Sequence, residues 1–369
     1  MSTSEVHLQK NVSSFAYWLH KRQVRPDKNQ LERFFDEVKM FCMLSFYLGL
    51  NFAIFVLPVL GYLAYNGNVS CRCLVVLTLI DYAIPLRLGD SLWLEWCVWC
   101  NDVAGKRSYF GAEVVFESED FPPTKNYLLV YHPHSLFGVA YNVMTSALYN
   151  KFGIITLFTG ADVLAYLPLL RRALSWWGFT PVGASSMRKN LARPHPFNAL
   201  TLMPGGVAEM FFGLEHEQVI LARRKGFCKL ALTTGCSLVP VYTFGANEVY
   251  TRAFGARSMA ARLSSLLRVS LICWFGRFGI PFGFLPHQQK LVVAIGKPME
   301  VARVASGEPS REQVEALHAR YVVELRGLYA KHKHRMGSEW AARRDKLYLE
   351  DEALPGEPED QAAASKKEQ

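Results

Sequence analysis

The sequence predicts an α/β domain, a mixed sheet flanked by helices, that follows a membrane-embedded helical hairpin. From residue 109 onward, short apolar runs rich in β-forming residues alternate with helix-like runs, which is the pattern of an α/β domain. Upstream, the run 40–65 has no charged side chain and is longer than the roughly 20 residues that cross a bilayer as a helix. We therefore divide the chain into a cytosolic segment 1–39, the hairpin 40–87, the α/β domain 88–337 and a disordered tail 338–369.

A second apolar run, 73–86, is the other arm of the predicted hairpin. It is shorter and contains Asp81. Either it crosses the membrane together with flanking residues, or it enters the membrane and leaves on the same side. Basic residues precede the first run and Arg87 follows the second, whereas Arg72 lies between them, which predicts cytosolic ends. Pro58 permits a turn at mid-depth, so a hairpin that never reaches the lumen stays open. The competing interpretation of the first run is a buried core helix.

The run 126–130 is brief, rich in β-formers and bounded by prolines, which predicts a buried strand. It leads into His132, Pro133 and His134, so two imidazoles stand at the end of a strand, where α/β folds carry reactive groups. Histidine is well suited to removing a proton at neutral pH. The alternatives are a core histidine beside a surface one, or metal ligation, for which no Cys or carboxylate lies at ligand spacing nearby.

The other elements follow from the same patterns. Strands are predicted at 153–160, 199–202, 219–222, 237–244 and 291–295, and helices at 161–177, 227–234 and 313–336. The stretch 259–275 crowds apolar side chains around two arginines, which predicts either a core helix or an element in the membrane interface.

Three further motifs follow the histidines: Met203-Pro-Gly-Gly-Val-Ala-Glu, Arg223-Arg-Lys-Gly-Phe and Phe244-Gly-Ala-Asn-Glu. In order and spacing the set resembles the type-2 acyl-CoA:diacylglycerol acyltransferase family, which includes monoacylglycerol and wax-forming members. The family pattern is His-Pro-His-Gly, Gly-Gly-x-x-Glu, Arg-x-Arg-Lys-Gly-Phe and Phe-Gly-x-Asn-Glu. The resemblance covers about residues 30–337 and departs from the pattern at Ser135, where the family has glycine, and in the lead-in to the basic cluster.

The resemblance implies a glycerolipid acyltransferase-like fold and acyl transfer with His134 as general base, because relatives that lose the first histidine keep the second. His132 would orient or hydrogen-bond. Related glycerolipid acyltransferases pair a histidine with an Asp five residues on, but positions 137 and 139 hold Phe and Val here. The supporting carboxylate is therefore predicted to be Glu209, or alternatively Glu248. In the competing interpretation, each glutamate caps a helix or pairs with an arginine.

The remaining motif residues are predicted to bind substrate. The Gly205-Gly206 pair would let backbone N–H groups approach an oxyanion or a lipid hydroxyl, although such a pair more often marks only a turn. The basic cluster would capture phosphate, unless it is a solvated charge run. The full set is Pro133, Ser135, Gly205, Gly206, Arg223, Arg224, Lys225, Gly226, Asn247 and Glu248.

Composition agrees with a membrane enzyme. A hydrophobic content of 50% is too high for an ordinary secreted or disordered protein. The net charge of +9 suits an anionic partner, but the basic residues are scattered and no nucleic-acid motif is present. Anionic membrane and the phosphates of coenzyme A are the expected partners, and nucleic acid is not. The eight cysteines are expected to be free thiols in a reducing cytosol.

We therefore expect an endoplasmic-reticulum membrane enzyme, both termini cytosolic, that transfers a fatty acyl group from acyl-CoA to diacylglycerol without a metal or a bound cofactor. Direct transfer is preferred to an acyl-enzyme on Ser135, because residues adjacent on a strand face opposite sides. The terminal Lys366-Lys-Glu-Gln resembles a dilysine retrieval signal. The alternatives are a monoacylglycerol or long-chain alcohol acyltransferase, or a non-catalytic membrane lipid-binding or scaffold protein. Homo-oligomers and lipid-droplet association stay open.

Overall fold

The structure is a computed structural model that describes residues 53–85 and 109–355, with short gaps at 137, 139, 169, 213–214, 254, 256–257, 268–271 and 306, and a few residues between 31 and 42. The predictions for 1–30, for 43–52 of the first apolar run, for positions 137 and 139 and for 356–369 lie outside the described residues.

Strands and helices alternate through the described α/β domain. The strands are β1 Glu113–Phe116, β2 Tyr127–His132, β3 Thr156–Gly160, β4 Phe179–Pro181, β5 Ala199–Leu202, β6 Gln218–Val219, β7 Ser237–Phe244, β8 Thr251–Arg252, β9 Trp274–Phe275, β10 Val292–Ile295 and β11 Tyr348–Leu349. The helices are α1 Ala53–Tyr65, α2 Val69–Ala83, α3 Tyr141–Phe152, α4 Leu170–Trp176, α5 Ala184–Leu191, α6 Gly206–Glu209, α7 Gly226–Thr234, α8 Met259–Leu267, α9 Arg311–His332 and α10 Ser338–Arg343.

A seven-stranded mixed sheet forms the centre of the domain, as the sequence predicts. Its order is β1-β10-β7-β2-β5-β3-β4. The strands from β7 to β4 pair in parallel, whereas β10 runs antiparallel to β7 and parallel to β1. The carboxyl ends of β2, β5 and β7, which lead into the motifs, therefore meet at one edge of the sheet.

The central strand β2 packs into a core on each side of the sheet. Tyr127 and Tyr131 face a core that includes α3, whereas Leu128 and Val130 face a core built with α7 and α9. This alternation follows from the two-residue period of a strand. His132 lies two residues after Val130, on the same face of the strand as Leu128 and Val130, and so points toward α9.

Helix α1 covers the second half of the first predicted arm, and α2 covers most of the second. Asn68 caps α2, because its side-chain oxygen accepts a hydrogen bond from the backbone N–H of Cys71 at 3.0 Å. Over the ranges 53–85 and 109–355, no helix has both the length and the apolar character that crossing a bilayer requires. The pairing of the helices is therefore observed, whereas the membrane embedding of the hairpin stays a prediction.

Two arginines of α4 hold the end of α2. Arg171 Nη2 donates to the carbonyl oxygens of Asp81 at 2.8 Å and Ile84 at 3.3 Å, and its guanidinium lies 4.2 Å from the ring centroid of Tyr82. Arg172 Nη2 donates to the same Asp81 carbonyl at 2.8 Å, and its Nε pairs with the Asp81 carboxylate. These bonds occupy carbonyl groups that a helix end leaves without internal partners. The hairpin is thereby joined to the α/β domain at α4.

The C-terminal segment corrects the prediction of a disordered tail from residue 338. Instead, α10 and β11 continue the fold, with Trp340 and Leu347 buried and β11 paired in parallel with β6. The acidic, alanine-rich composition suggested too little apolar surface for folding. A few buried residues and strand pairing with a distant partner are enough to order 338–355.

Two other predictions change in detail. The predicted helix 161–177 is a 3-10 turn at Asp162–Ala165 followed by α4, because Pro168 interrupts the helical pattern. The stretch 259–275 is not a single core helix. It forms the short helix α8, with Met259 and Leu263 exposed, and then β9.

Candidate active site

His134 differs from its neighbours in exposure. Of the ten residues 127–136, all of which the structure describes, only His134 is not buried. Strand β2 continues two residues further than predicted, through His132, and Pro133 and His134 lie in the turn that follows. The turn stands at the edge where β5 and β7 also end, so His134, unlike His132, is open to solvent at that edge.

His132 is a core residue. It is fully buried, and its Nε2 lies 3.1 Å from the hydroxyl oxygen of Tyr321 on α9. That hydroxyl donates to the carbonyl oxygen of Val130 at 3.2 Å, so it accepts from His132, whose Nε2 carries the proton. Burial lowers the pKa of His132 to about 3, which keeps the ring neutral. His132 therefore has the hydrogen-bonding part of its predicted role and no contact with solvent.

The backbone sets the tautomer of His134. Its Nδ1 lies 2.9 Å from the carbonyl oxygen of Ser135. A carbonyl can only accept, so Nδ1 carries the proton and Nε2 holds the lone pair. His134 is partly buried, and this desolvation lowers its pKa below the usual range, while the hydrogen bond to Ser135 opposes that shift without reversing it. The ring is therefore neutral at pH 7 and presents a basic nitrogen.

Ser135 contributes its backbone to this arrangement. Its side chain is fully buried, and its φ of 50° lies in the left-handed region that favours glycine, which explains why the family pattern has glycine there. Within the described chain, its Oγ has no hydrogen-bond partner. Pro133 is also buried, and the substrate-binding roles of Ser135 and Pro133 stay predictions.

Glu209 holds the backbone of His134. Its Oε2 accepts the His134 backbone N–H at 2.7 Å, and its Oε1 accepts the Ile220 backbone N–H at 2.9 Å. The carboxyl is buried, and desolvation raises its pKa to about 7, although the two hydrogen bonds oppose the shift. The structure thus brings together the predicted histidine and glutamate, but Glu209 bonds to the backbone of His134 rather than to its ring.

The turn that carries Glu209 explains the two glycines of the second motif. A Cβ on Gly205 would lie 2.4 Å from Cδ of Glu209, so only glycine leaves room for that carboxylate. Gly206 has a φ of 60°, and its N–H donates to Met203 O at 3.3 Å within the turn. The turn alone accounts for both glycines, and their predicted contact with an oxyanion stays a prediction.

The basic cluster lies where α7 begins. Arg223 and Arg224 are exposed, whereas Lys225 is half-buried and forms an ion pair with Glu315 of α9. Gly226 is the exposed first residue of α7. Glu209 bonds to the backbone of both His134 and Ile220. The basic cluster begins three residues after Ile220, so it lies close in sequence to a segment that is tied to the His134 turn.

Asn247 and Glu248 belong to a different network. Asn247 Nδ2 donates to Oε2 of the buried Glu217 at 3.2 Å. Glu248 Oε1 accepts from Trp340 Nε1 at 2.8 Å and pairs with Arg344 Nη1 at 2.9 Å. Arg344 also pairs with Glu217 at 3.2 Å. These contacts join the motif to the C-terminal segment, so Glu248 is not the carboxylate that supports His134.

Three contributors were missed by sequence reasoning: the Ser135 carbonyl, Tyr321 and Glu350. Glu350 accepts backbone hydrogen bonds from the segment that leads into the basic cluster. Only the glycine expected at position 135 hinted at the first, and no local pattern indicates the other two. In the part of the chain that the structure describes, no three His, Cys, Asp or Glu side chains are placed to hold a metal.

A family profile described as "Diacylglycerol acyltransferase" matches residues 73–343. This chain belongs to the diacylglycerol acyltransferase family. The match confirms the resemblance drawn from the motifs, and it makes the protein an acyltransferase.

Individual relatives agree with the family assignment. The chain is 31% identical to "Diacylglycerol O-acyltransferase 2-like protein 6" of Homo sapiens, over 67% of this chain and 77% of that protein. It is 32% identical to "Diacylglycerol O-acyltransferase 2" of Danio rerio, over 70% and 74%. It is also 32% identical to "2-acylglycerol O-acyltransferase 3" of Homo sapiens, over 63% and 71%. Among solved structures, the 1-acyl-sn-glycerophosphate acyltransferase PlsC of Thermotoga maritima aligns with a TM-score of 0.39 at 16% identity, over 76% of this chain and 94% of that chain.

Proposed function

We propose that this family member transfers a fatty acyl group from acyl-CoA to the free hydroxyl of diacylglycerol, with His134 as the general base. The protonation and tautomer of the His134 ring support this role. The Ser135 carbonyl holds Nδ1–H at 2.9 Å, partial burial keeps the ring neutral, and Nε2 is left as the acceptor. No other residue in 127–136 is open to solvent.

The reaction then needs few groups. Nε2 of His134 takes the hydroxyl proton as the acceptor oxygen bonds to the thioester carbonyl carbon. The carbon–sulfur bond of the tetrahedral intermediate breaks, and the departing sulfur takes the proton from the imidazolium, which releases coenzyme A and triacylglycerol. A positioned base typically contributes roughly 10²- to 10⁴-fold. Arg223 and Arg224 are exposed beside the site and suit the phosphate groups of coenzyme A.

The hairpin is proposed to keep this site at the endoplasmic-reticulum membrane. Its helices expose a contiguous series of large apolar side chains, which is unusual for a surface that faces water. The series includes Val56, Val59, Tyr62, Leu74, Leu77, Leu79 and Ile80. The bonds from Arg171 and Arg172 to the end of α2 tie that apolar surface to the α/β domain. A diacylglycerol diffusing in the bilayer would thereby come near the sheet edge that carries His134.

Monoacylglycerol is the second candidate acceptor. One relative, 32% identical, is named 2-acylglycerol O-acyltransferase 3, and the same base and thioester donor would serve that reaction. A long-chain alcohol would use the same groups.

One assay tests the base and the acceptor together. Membranes containing the full chain are given labelled acyl-CoA with monoacylglycerol, diacylglycerol or fatty alcohol in parallel. We expect triacylglycerol from diacylglycerol, and its loss in His134→Ala at unchanged expression. The matched control is His334→Ala, which removes an exposed histidine far along the chain. Equal activity in His134→Ala would reject the base, and no transfer to any acceptor by the unmodified protein would favour the non-catalytic lipid-binding alternative.

A further inference from the structure

Two glutamates bind four successive backbone N–H groups in front of the basic cluster. Glu209 Oε1 accepts one at 2.9 Å, and Glu350 accepts the next three at 2.7, 2.9 and 3.2 Å. The four donors belong to Ile220, Leu221, Ala222 and Arg223. The first carboxylate also holds the base, so Glu209 and Glu350 together link the catalytic turn to the start of the cluster.

This bonding decides how the cluster meets a ligand. Consecutive N–H groups ahead of a helix are a common anion site, but here carboxylates already occupy them. On the other side of the same segment, His318 Nε2 lies 2.9 Å from the Leu221 carbonyl oxygen. Because these four N–H groups are already bonded, the groups that residues 220–224 offer to an anion are the exposed side chains of Arg223 and Arg224.

Glu350 is presented by an ordered strand. Tyr348 and Leu349 of β11 pair with Gln218 and Val219 of β6, and the Tyr348 N–H donates to Glu217 O at 2.9 Å. Glu350 itself is buried. A buried carboxylate is costly unless it is hydrogen-bonded, and bonds from N–H groups to a charged acceptor are roughly twice as strong as neutral ones. The three bonds therefore fix the segment firmly.

We propose that Glu350 is a positioning residue for the donor substrate. It holds the backbone of 221–223 so that Arg223 and Arg224 are set to bind the phosphate groups of acyl-CoA. It touches no substrate and acts through the segment alone. The inference rests on the proposed function, which supplies the phosphate-bearing donor, and it assigns a role to a residue that lies outside all the motifs.

The test compares two donors in membranes that contain the full chain. Acyl-CoA carries phosphates, whereas S-acyl-pantetheine has the same thioester and none. We expect Glu350→Gln to raise the KM for acyl-CoA about tenfold, because glutamine offers one acceptor oxygen to three donors and loses the charge. The kcat should stay within about twofold, and the KM for S-acyl-pantetheine should not change. Glu350→Asp, which keeps the charge, should recover part of the affinity and also serves if the first variant does not accumulate.

Glu352→Gln is the matched control. Glu352 lies in the same segment and bonds to Arg326 at 2.5 Å, to Lys346 at 3.2 Å and to the Leu349 backbone N–H at 2.9 Å, so it supports β11 without contacting 221–223. Its loss should leave both KM values unchanged. Equal KM changes in the Glu350 and Glu352 variants, or equal changes for the two donors, would mean that Glu350 contributes only to the stability of the fold. Either result would overturn the inference.

Three further results are decisive. A lower KM for acyl-CoA in Glu350→Gln would mean that the carboxylate competes with the donor for the N–H groups, which is the opposite of positioning. Unmodified enzyme that does not use acyl-CoA at all would overturn the proposed function as well. Normal activity of the unmodified enzyme with an unchanged KM in Glu350→Gln would overturn the inference alone.

Discussion

Two turns leave the same edge of the sheet, and each carries a glycine followed by the glutamate of a family motif. After β5, Glu209 lies against Gly205 and accepts the backbone N–H of His134 at 2.7 Å. After β7, Glu248 follows Gly245 and bonds with Trp340 and Arg344 of the C-terminal segment, at 2.8 and 2.9 Å. The same local pattern thus positions the backbone of His134 in one turn and fastens the C-terminal segment in the other.

The difference shows that a motif glutamate acquires its role from its partners. Both carboxylates follow parallel strands and lie near arginines, so sequence alone left them as alternatives for one role. The buried N–H groups of two separate segments converge on Glu209, whereas indole and guanidinium groups converge on Glu248. A carboxylate bonded to backbone positions that backbone, and one bonded to side chains fastens the elements that carry them.

Exchanging each glutamate for glutamine is the strongest test of this contrast. Glu209→Gln should lower kcat by roughly 100-fold, because one amide oxygen cannot accept both N–H groups and the base moves by a fraction of an ångström or more. Glu248→Gln should lower kcat less than about threefold and reduce the free energy of unfolding by about 1–2 kcal/mol. Initial rates per folded molecule and thermal midpoints give both values. Equal rate losses in the two variants would remove the distinction.

Replacing the glycine of each turn with alanine should also have different effects, on turnover in the first turn and on stability in the second. In Gly205→Ala the new Cβ would lie 2.4 Å from Cδ of Glu209, so that side chain moves off the His134 N–H and kcat falls roughly tenfold. In Gly245→Ala the Cβ would meet the Lys290 carbonyl oxygen at 2.4 Å at a φ of 81°, which costs at least about 1–3 kcal/mol of stability. A Gly245→Ala enzyme that folds normally but turns over slowly would contradict this assignment.

The pH dependence of stability offers a smaller test of Glu209. Burial raises its folded-state pKa to about 7, from an ordinary value of 4.5, so between those values the folded chain binds a proton that the unfolded chain has released. This contribution to stability is fully present below pH 4.5 and is lost as pH rises through 7, with a slope of at most about 1.4 kcal/mol per pH unit.

Urea unfolding from pH 4.5 to 7.5 measures this dependence. Glu209→Gln should flatten that part of the profile, whereas Glu248→Gln should keep the slope of the unmodified protein. A profile that is unchanged in Glu209→Gln would show that the buried carboxyl does not titrate in this range.

Local signals in the sequence placed most of the sheet. The strand at 237–244 was predicted with the bounds that β7 has, because eight residues suited to a buried strand lie between Gly235 and Gly245. The helix before it ends at Gly235, whose φ of 76° is the left-handed conformation that glycine accepts at a helix end. Residue type and spacing alone determine such features, since each depends on neighbours a few positions away.

The sequence by itself therefore determined the α/β class, the order of the motifs and the family, and it predicted His134 rather than His132 as the base. Only the tertiary structure decided that Glu209 bonds to the backbone of His134, that Glu248 does not contact His134, and that residues 338–355 are ordered. Each of these depends on partners far apart in the chain, such as Leu221 and Glu350, which are separated by 129 positions. No local pattern encodes them, because burial and hydrogen bonding at those residues exist only once the sheet has brought the segments together.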